Sequence, residues 1–459
     1  MLITVKNYAY LQNVPETLGA VLLEKLTLPN PKWLENERMG RWNYKTPKVL
    51  RYYRKSPNGG LRIPRGLLPW LLGTCRQMDL EYTLDDKRQL LPQVEFDFKG
   101  KLQDFQQEAV DAMLGHAFGT LDSPTGSGKT VMALNMIAVR RQPALIVVHT
   151  KELAEQWLDR VETFLDVPRK ECGMIGGGKK KTGDRITIAL VQSLYRVSKE
   201  VAPRVGYLLV DECHRCPSRT FTEAVTAFDC QFMTGLSATP FRRDKLGQLI
   251  FWHLGDVRYE MQREILLEKG AILPVEAVVR LTAFEPYIDP VQFYSKMMTE
   301  LTADTKRNAL IAEDILEHSR GHEGILLALS DRKSHCETLA AILRIRTKQE
   351  VAVLTGDLSK KERTQVVNDL RAGKVKILIA TGQLIGEGFD LPELSCLFLT
   401  TPVSFDGRIL QYLGRVLRPA PNKEFALVYD YVDVNVETLV NAAKKRQRLY
   451  QRISGKSLI

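Results

Sequence analysis

A chain of 459 residues with 44% hydrophobic and 26% charged residues has the balance of a multidomain globular protein, and no apolar run nears the ~20 residues of a membrane span. The start MLITVKNYAY lacks the basic-then-apolar layout of a secretory signal, and seven cysteines, an odd number, read as reduced thiols, so a cytoplasmic protein without a disulfide framework is expected. A net charge of +11 favours a polyanionic partner, since neutralised phosphates release condensed counterions, although charge alone leaves the matter even.

Residues 1–95 carry no phosphate-binding loop and are read as a small N-terminal α+β accessory module. Within them RWNYKTPKVLRYYRK (41–55) and GGLRIPRGLLPW (59–70) interleave Trp, Tyr, Arg and Lys. That mixture suits the stacking of bases and pairing of phosphates, and equally a small sheet with an aromatic core and a basic rim. The stretch LEYTLDDKRQLLPQVEFDFKG (80–100) reads as strand and turn leading onward.

From Leu102 short apolar strands alternate with helical stretches, the sign of a parallel sheet covered by helices. The first series is ALIVV (144–148), ITIAL (186–190), YLLV (207–210) and FMTGL (232–236). The second is GILLAL (324–329), VAVL (351–354), KILIA (376–380), CLFLT (396–400) and FALVY (425–429). Two tandem α/β lobes follow, 96–270 and 271–438, with their seam between about Leu267 and Glu285. The end, LVNAAKKRQRLYQRISGK within 439–459, reads as a basic helix, either solvated or touching a nucleic-acid backbone or partner.

In the first lobe SPTGSGKT (123–130) stands between the strand Phe118 to Asp122 and an apolar helix, the context a phosphate loop requires. Pro124, Thr125 and Ser127 frame it, Gly126 and Gly128 let backbone amides approach phosphates, Lys129 reaches the terminal phosphates and Thr130 offers a hydroxyl to magnesium. Ser123 stands where the general pattern has its first glycine. YLLVDECH (207–214) delivers two carboxylates at a strand's C-terminal end: Asp211 to hold magnesium, Glu212 to deprotonate the attacking water. Cys213 and Cys216 form a CxxC, but without a second pair at ligand spacing it is not read as a zinc site. In the second lobe QYLGRVLRP (411–419) spaces Gln411, Arg415 and Arg418 for one helix face. A planar cation there stabilises charge in phosphoryl transfer, with Arg418 as the finger and Arg415 its partner.

Together these segments resemble a superfamily 2 helicase of the DEAH-like kind, from about Lys101 onward. SPTGSGKT is similar to motif I, DECH to motif II, and SATP (237–240) to motif III, where Ser237 and Thr239 couple hydrolysis to lobe movement. FQQEAV (105–110) resembles the glutamine motif, implying that Gln106 reads the adenine edge; Gln103 stands where that pattern begins with Arg. TGQLIGEGFDLPEL (381–394) resembles motif V, with Gly388 and Asp390 at the ATP site beside Gln411, and QYLGRVLRP resembles motif VI. The wording of SATPFRRDK and of motif V is most similar to the XPB, UvsW and type I or III restriction-motor branch, implying RecA-like lobes, ATP and Mg2+ as cofactors, and movement on duplex or branched DNA.

The resemblance also implies backbone contacts: Thr150 and Lys151 in HTKELAEQW (149–157), Gly177 and Lys179 in IGGGKKK (175–181), Gln192 and Ser193, and on the second lobe Ser330, Arg332, Gly356 and Thr381. A lysine run such as Lys179 to Lys181 is more often just a solvated loop. Duplex, forked or single-stranded DNA is the expected partner, ahead of RNA. An RNA helicase, and a motor subunit of a larger restriction or defence assembly, stay open as alternatives, the latter with a nuclease partner because the chain shows no nuclease signature.

Overall fold

The computed structural model describes residues 1–215, 219–238, 247–320, 324–386, 394–403, 406–420 and 423–454. It divides into two compact units: Met1–Pro124 with Gly128–Met261, and Thr125–Ser127 with Gln262–Ile459. Both are mixed α/β, and each carries a parallel-sheet RecA-like lobe.

In the first unit the N-terminal segment forms a five-stranded sheet, ordered Arg54–Lys55, Leu61–Pro64, Tyr8–Gln12, Leu2–Val5, Thr83–Asp86. Its core is aliphatic, with Ile3, Val5, Ala9, Leu11, Leu18, Leu22 and Ile63 buried. It shares one hydrophobic cluster with Phe221, Phe228, Leu249 and Trp252 of the segment that follows. The join is tight at the turn Arg65–Leu67. Arg65, 3% exposed, donates to the carbonyls of Cys230 at 2.8 Å and Lys6 at 3.3 Å. A Cβ on Gly66 would meet the Phe251 and Trp252 carbonyls at 2.4 and 2.5 Å. Backbone oxygens cannot give way cheaply, so Gly66→Ala is expected to cost roughly 1–3 kcal/mol of stability by overpacking. Thermal unfolding with limited proteolysis checks this: an unchanged melting temperature and no early release of the N-terminal segment would count against the contact.

The larger sheet of this unit runs Lys179–Lys181, Gly173–Gly176, Ile186–Leu190, Ala144–Val148, Tyr207–Val210, Phe232–Ser237, Phe118–Asp122, Val257–Glu260. All neighbours are parallel except the lysine strand, which returns antiparallel on Gly173–Gly176. Helices cover both faces, which is why Ala144–Val148 and Tyr207–Val210 are apolar and buried at every position.

The second unit has an all-parallel sheet ordered Val275–Thr282, Ala426–Asp433, Leu394–Leu399, Ile325–Ser330, Ile377–Thr381, Val351–Leu354. The basic C-terminal helix is not a solvated tail. Glu437–Ser454 buries Leu439, Ala442, Ala443, Arg446, Leu449, Tyr450 and Ile453, because its apolar residues recur at helical spacing while the lysines take the other face. Among the described residues no helix is long and apolar enough to cross a membrane.

Candidate functional site

Register brings the first unit's motifs together. Asp122 pairs with Ser237 and Val210 with Gly235, so three strands end at one edge of the sheet. Ser123 N–H donates to the Ser237 carbonyl at 2.9 Å, tying the phosphate loop to the SATP segment. Thr125, Gly126 and Ser127 make the turn, with Ser127 buried, and Gly126 and Gly128 have φ of 94° and 85°, values glycine adopts without strain. The helix Lys129–Arg140 then begins with Lys129 and Thr130 in its first turn. Lys129 Nζ donates to the carbonyls of Ser123 at 2.9 Å and Pro124 at 3.2 Å. The loop thus holds its cation folded against its own backbone.

Gln106 lies buried beside that loop. Its Oε1 accepts from the Gln103 N–H at 3.0 Å in a capping box for the helix Asp104–Leu114. Gln103 is therefore the helix cap, a role an arginine would fill less well. A Cβ on Gly128 would come within 2.4 Å of Gln106 Nε2, so any side chain there would push the Gln106 amide aside.

Asp211 is 8% exposed and accepts from Trp157 Nε1 at 2.8 Å and from the Glu212 N–H at 2.8 Å. Burial and the neighbouring Glu212 charge push its carboxyl up, opposed by the Trp157 hydrogen bond and by Lys129. Glu212 sits at φ 50°, a left-handed conformation that costs a β-carbon residue of order 1 kcal/mol or more. Its Oε2 is buried without a hydrogen-bond partner and lies 3.2 Å from His214 Nδ1. His214 Nδ1 is also 3.1 Å from Ser237 Oγ, which joins the acidic tetrad to the SATP segment. Asp122 is pushed up to about 6 by burial and by Glu260. Trp157 and His214 escaped the sequence reading, because only tertiary packing aims the Trp157 N–H at Asp211 and sets His214 against Ser237.

The proposed nucleic-acid residues of this unit form a second group on the same sheet edge, after the strands Ala144–Val148, Gly173–Gly176 and Ile186–Leu190. Thr150 caps the helix Lys151–Leu165, accepting from Leu153 N–H at 3.2 Å. Lys151 is exposed, and its Cε lies 3.7 Å from where Gly177 would carry a Cβ. Lys179 is exposed on a short edge strand, and Gln192 and Ser193 open the helix Val191–Val201.

In the second unit Ser330 and Thr381 pair across neighbouring strands. Ser330 departs from expectation: it is 1% exposed, with its hydroxyl 2.9 Å from His335 Nδ1 and accepting from Arg332 N–H, so it braces the loop from inside. Arg332 donates to the Ser295 carbonyl and hydroxyl, each at 3.1 Å. Gly356 is exposed, and its carbonyl accepts from Arg363 at 2.9 Å. Arg415 lies in the last turn of the helix Asp406–Val416. Arg418 falls past that helix's end rather than on its face, so the shared face stops at Arg415. Lys423, unremarked in the sequence, donates there to the carbonyls of Leu394 at 2.5 Å, Arg418 at 2.9 Å and Val416. Burial, with the Arg418 charge, pulls its ammonium down to about 8. Thr239, Gly388, Asp390 and Cys216 lie outside the described residues, as does the side chain of Gln411.

Residues 99–242 match the family model for the type III restriction enzyme res subunit, and residues 305–420 match that of the helicase conserved C-terminal domain. A DNA 3'-5' translocase XPB2 from Sulfurisphaera tokodaii is 27% identical over 72% of this chain and 81% of its own length. A putative ATP-dependent RNA helicase L396 from Acanthamoeba polyphaga mimivirus is 26% identical over 79% and 70%. Among solved structures, Saccharomyces cerevisiae Dbp5 bound to RNA and ADP BeF3 superposes with a TM-score of 0.55 at 18% identity, over 78% of this chain and 89% of that one, a likeness of fold.

Proposed function

We propose that this chain, a superfamily 2 helicase and nucleic-acid-dependent ATPase, is an ATP-driven motor on DNA that unwinds, anneals or remodels duplex, forked or branched strands. The observation that carries the reading is that Lys129, Asp211 and the buried Glu212 Oε2, with His214 beside it, come together at one sheet edge, where the Lys129 charge acts on Asp211. We place it nearest the DEAH-like enzymes of the XPB, UvsW and restriction-motor branch; DECH, the res-subunit match and the XPB2 relative support this. A cytoplasmic setting fits the six described cysteines, all buried and unpaired.

In the mechanism we assign, the triphosphate takes the place of the Ser123 and Pro124 carbonyls at Lys129 Nζ. The loop amides and helix N-terminus hold its oxygens. Gln106 faces the base. Thr130 and Asp211 are the groups to hold Mg2+, and the fit is electrostatic: Asp211 and Glu212 are paired anions with a raised carboxyl pKa, a repulsion that a cation relieves. Magnesium held by Thr130 and Asp211 would supply charge neutralisation at the phosphate oxygens. Glu212 Oε2 takes the proton of the attacking water. His214 and Ser237, with Thr239, relay the state of the carboxylates toward the strand-gripping edge. Arg415 and Arg418 are assigned to supply cation charge to the γ-phosphate, and Gln411, Gly388 and Asp390 to the same nucleotide. Thr150, Lys151, Gly177, Lys179, Gln192 and Ser193, with Arg332, Gly356 and Thr381, grip phosphates without regard to sequence.

Hydrolysis measured with matched single-stranded, duplex and forked DNA and with RNA, at fixed salt, tests this. Stimulation by DNA over RNA is expected, and its loss in Lys129→Ala. The mimivirus relative favours the RNA reading, which RNA-selective stimulation would establish; stimulation by no polymer would sink both.

A further inference from the structure

Between Pro31 and Gly60 eight lysines and arginines stand against two glutamates, a surplus of cations in a segment that carries none of the residues assigned to the ATP site. All eight are exposed, and among the described residues none is in a salt bridge. In their midst Trp42 and Tyr44 are 84% and 74% exposed. Their rings stack on each other, with centroids 5.1 Å apart and an interplanar angle of 26°. Two large aromatics held in water forgo the burial that usually fixes such side chains, so their placement needs a reason.

The loop that carries them is built, not loose. Asn30, 7% exposed, caps the helix Pro31–Arg38 and donates to the Pro47 carbonyl at 2.7 Å. Asn36 donates to Asn43 Oδ1 at 2.9 Å, and Asn43 donates in turn to the Trp33 carbonyl at 3.2 Å. Gly40, at φ 63°, turns the chain out of the helix. Three asparagines therefore clamp both ends of the loop and its middle, and the residues on either side of Asn43 are the two aromatics. Lys48 Nζ lies 5.2 Å over the Trp33 ring, which keeps a cation beside the platform.

We propose that Trp42 and Tyr44 form a stacking platform for an unpaired base of a nucleic-acid strand, whose flanking phosphates are held by the surrounding cations, Arg38, Arg41, Lys45 and Lys48 among them. Charge complementarity selects this occupant. An apolar protein partner has no use for eight unpaired cations, and a phosphate surface alone has no use for two stacked rings, whereas a single strand presents both an exposed π-face and a phosphate at each step. A base inside a duplex offers no free face, so the platform discriminates frayed or single strands from intact duplex. The inference rests on the reading of the chain as a nucleic-acid motor and adds a feature that reading does not require.

The test is direct binding of the full chain, without ATP, to a labelled single-stranded DNA oligonucleotide, the matching RNA strand and a blunt duplex, by fluorescence anisotropy at fixed salt. Trp42→Ala with Tyr44→Ala is expected to weaken single-strand binding roughly ten-fold or more, on DNA and RNA alike, because every base has a π-face. Duplex affinity and ATP turnover at saturating nucleic acid should stay at the wild-type level, and Trp42→Phe with Tyr44→Phe should restore most of the loss. Single-strand affinity within about two-fold of wild type in the alanine pair would overturn the platform. So would an equal loss on blunt duplex, or a change of oligomeric state with strand affinity intact, which would make the patch an interface between copies. Because binding is read without ATP, failure here leaves the motor reading standing, while absent stimulation of hydrolysis leaves the binding result readable.

Discussion

Glu212→Gln is expected to cut ATP turnover by roughly two to four orders of magnitude while nucleotide binding is kept. The amide matches the carboxylate in shape but has no basic oxygen to receive the proton of water. Its Oε2 is buried and lies 3.2 Å from His214 Nδ1, so that imidazole is the neighbour a water must displace or share to reach it. The substitution also removes the like charge that helps push Asp211 up, so the carboxylate assigned to the metal becomes easier to ionise, and affinity for nucleotide should hold or rise. Single-turnover hydrolysis alongside binding of a fluorescent nucleotide checks both halves. Turnover within about three-fold of wild type would take the general base away from Glu212.

Asp430→Asn should destabilise the second unit by about 3–5 kcal/mol, with no part in chemistry. Asp430 and Arg446 are each 1% exposed. Arg446 Nε reaches both carboxylate oxygens, at 3.0 and 2.8 Å, and a terminal nitrogen donates at 2.8 Å. Its other terminal nitrogen donates to the Val403 carbonyl at 3.1 Å, and Tyr450 Oη donates to Asp430 at 3.2 Å. This network fastens the C-terminal helix to the strand Ala426–Asp433. Neutralising one partner leaves a buried guanidinium without its counter-charge. The double change Asp430→Leu with Arg446→Met, which removes both charges, should recover most of the loss. Denaturant unfolding followed by a probe on the C-terminal helix separates the cases; a single variant as stable as wild type would mean that the pair contributes little.

The division of labour between sequence and fold follows the range of the interactions involved. The apolar runs singled out in the sequence fall on strands, most to within one or two residues, although the run at 425–429 extends as Ala426–Asp433 and the strands Val257–Glu260 and Val275–Thr282 were not singled out. The glycines, lysine and threonine of the phosphate loop, and the carboxylates after Tyr207–Val210, were legible because a strand, a tight turn and a helix start are set by neighbours in the chain. Long-range packing decided the rest. Trp157 meets Asp211, and His214 reaches Ser237, only because strands distant in sequence end side by side. Ser330 turns inward and Arg418 leaves the helix for the same kind of reason: a polar residue near a strand or helix end has an inward and an outward option, and the neighbouring elements choose between them. The C-terminal lysines and arginines looked like a solvated helix, yet Arg446 is buried against Asp430. The aromatic and basic residues of 41–55 allowed two readings, a packed core or a binding face. Sequence determines which local shapes each segment prefers; the tertiary structure alone decides which side chains are covered, because burial depends on what the rest of the chain brings against them.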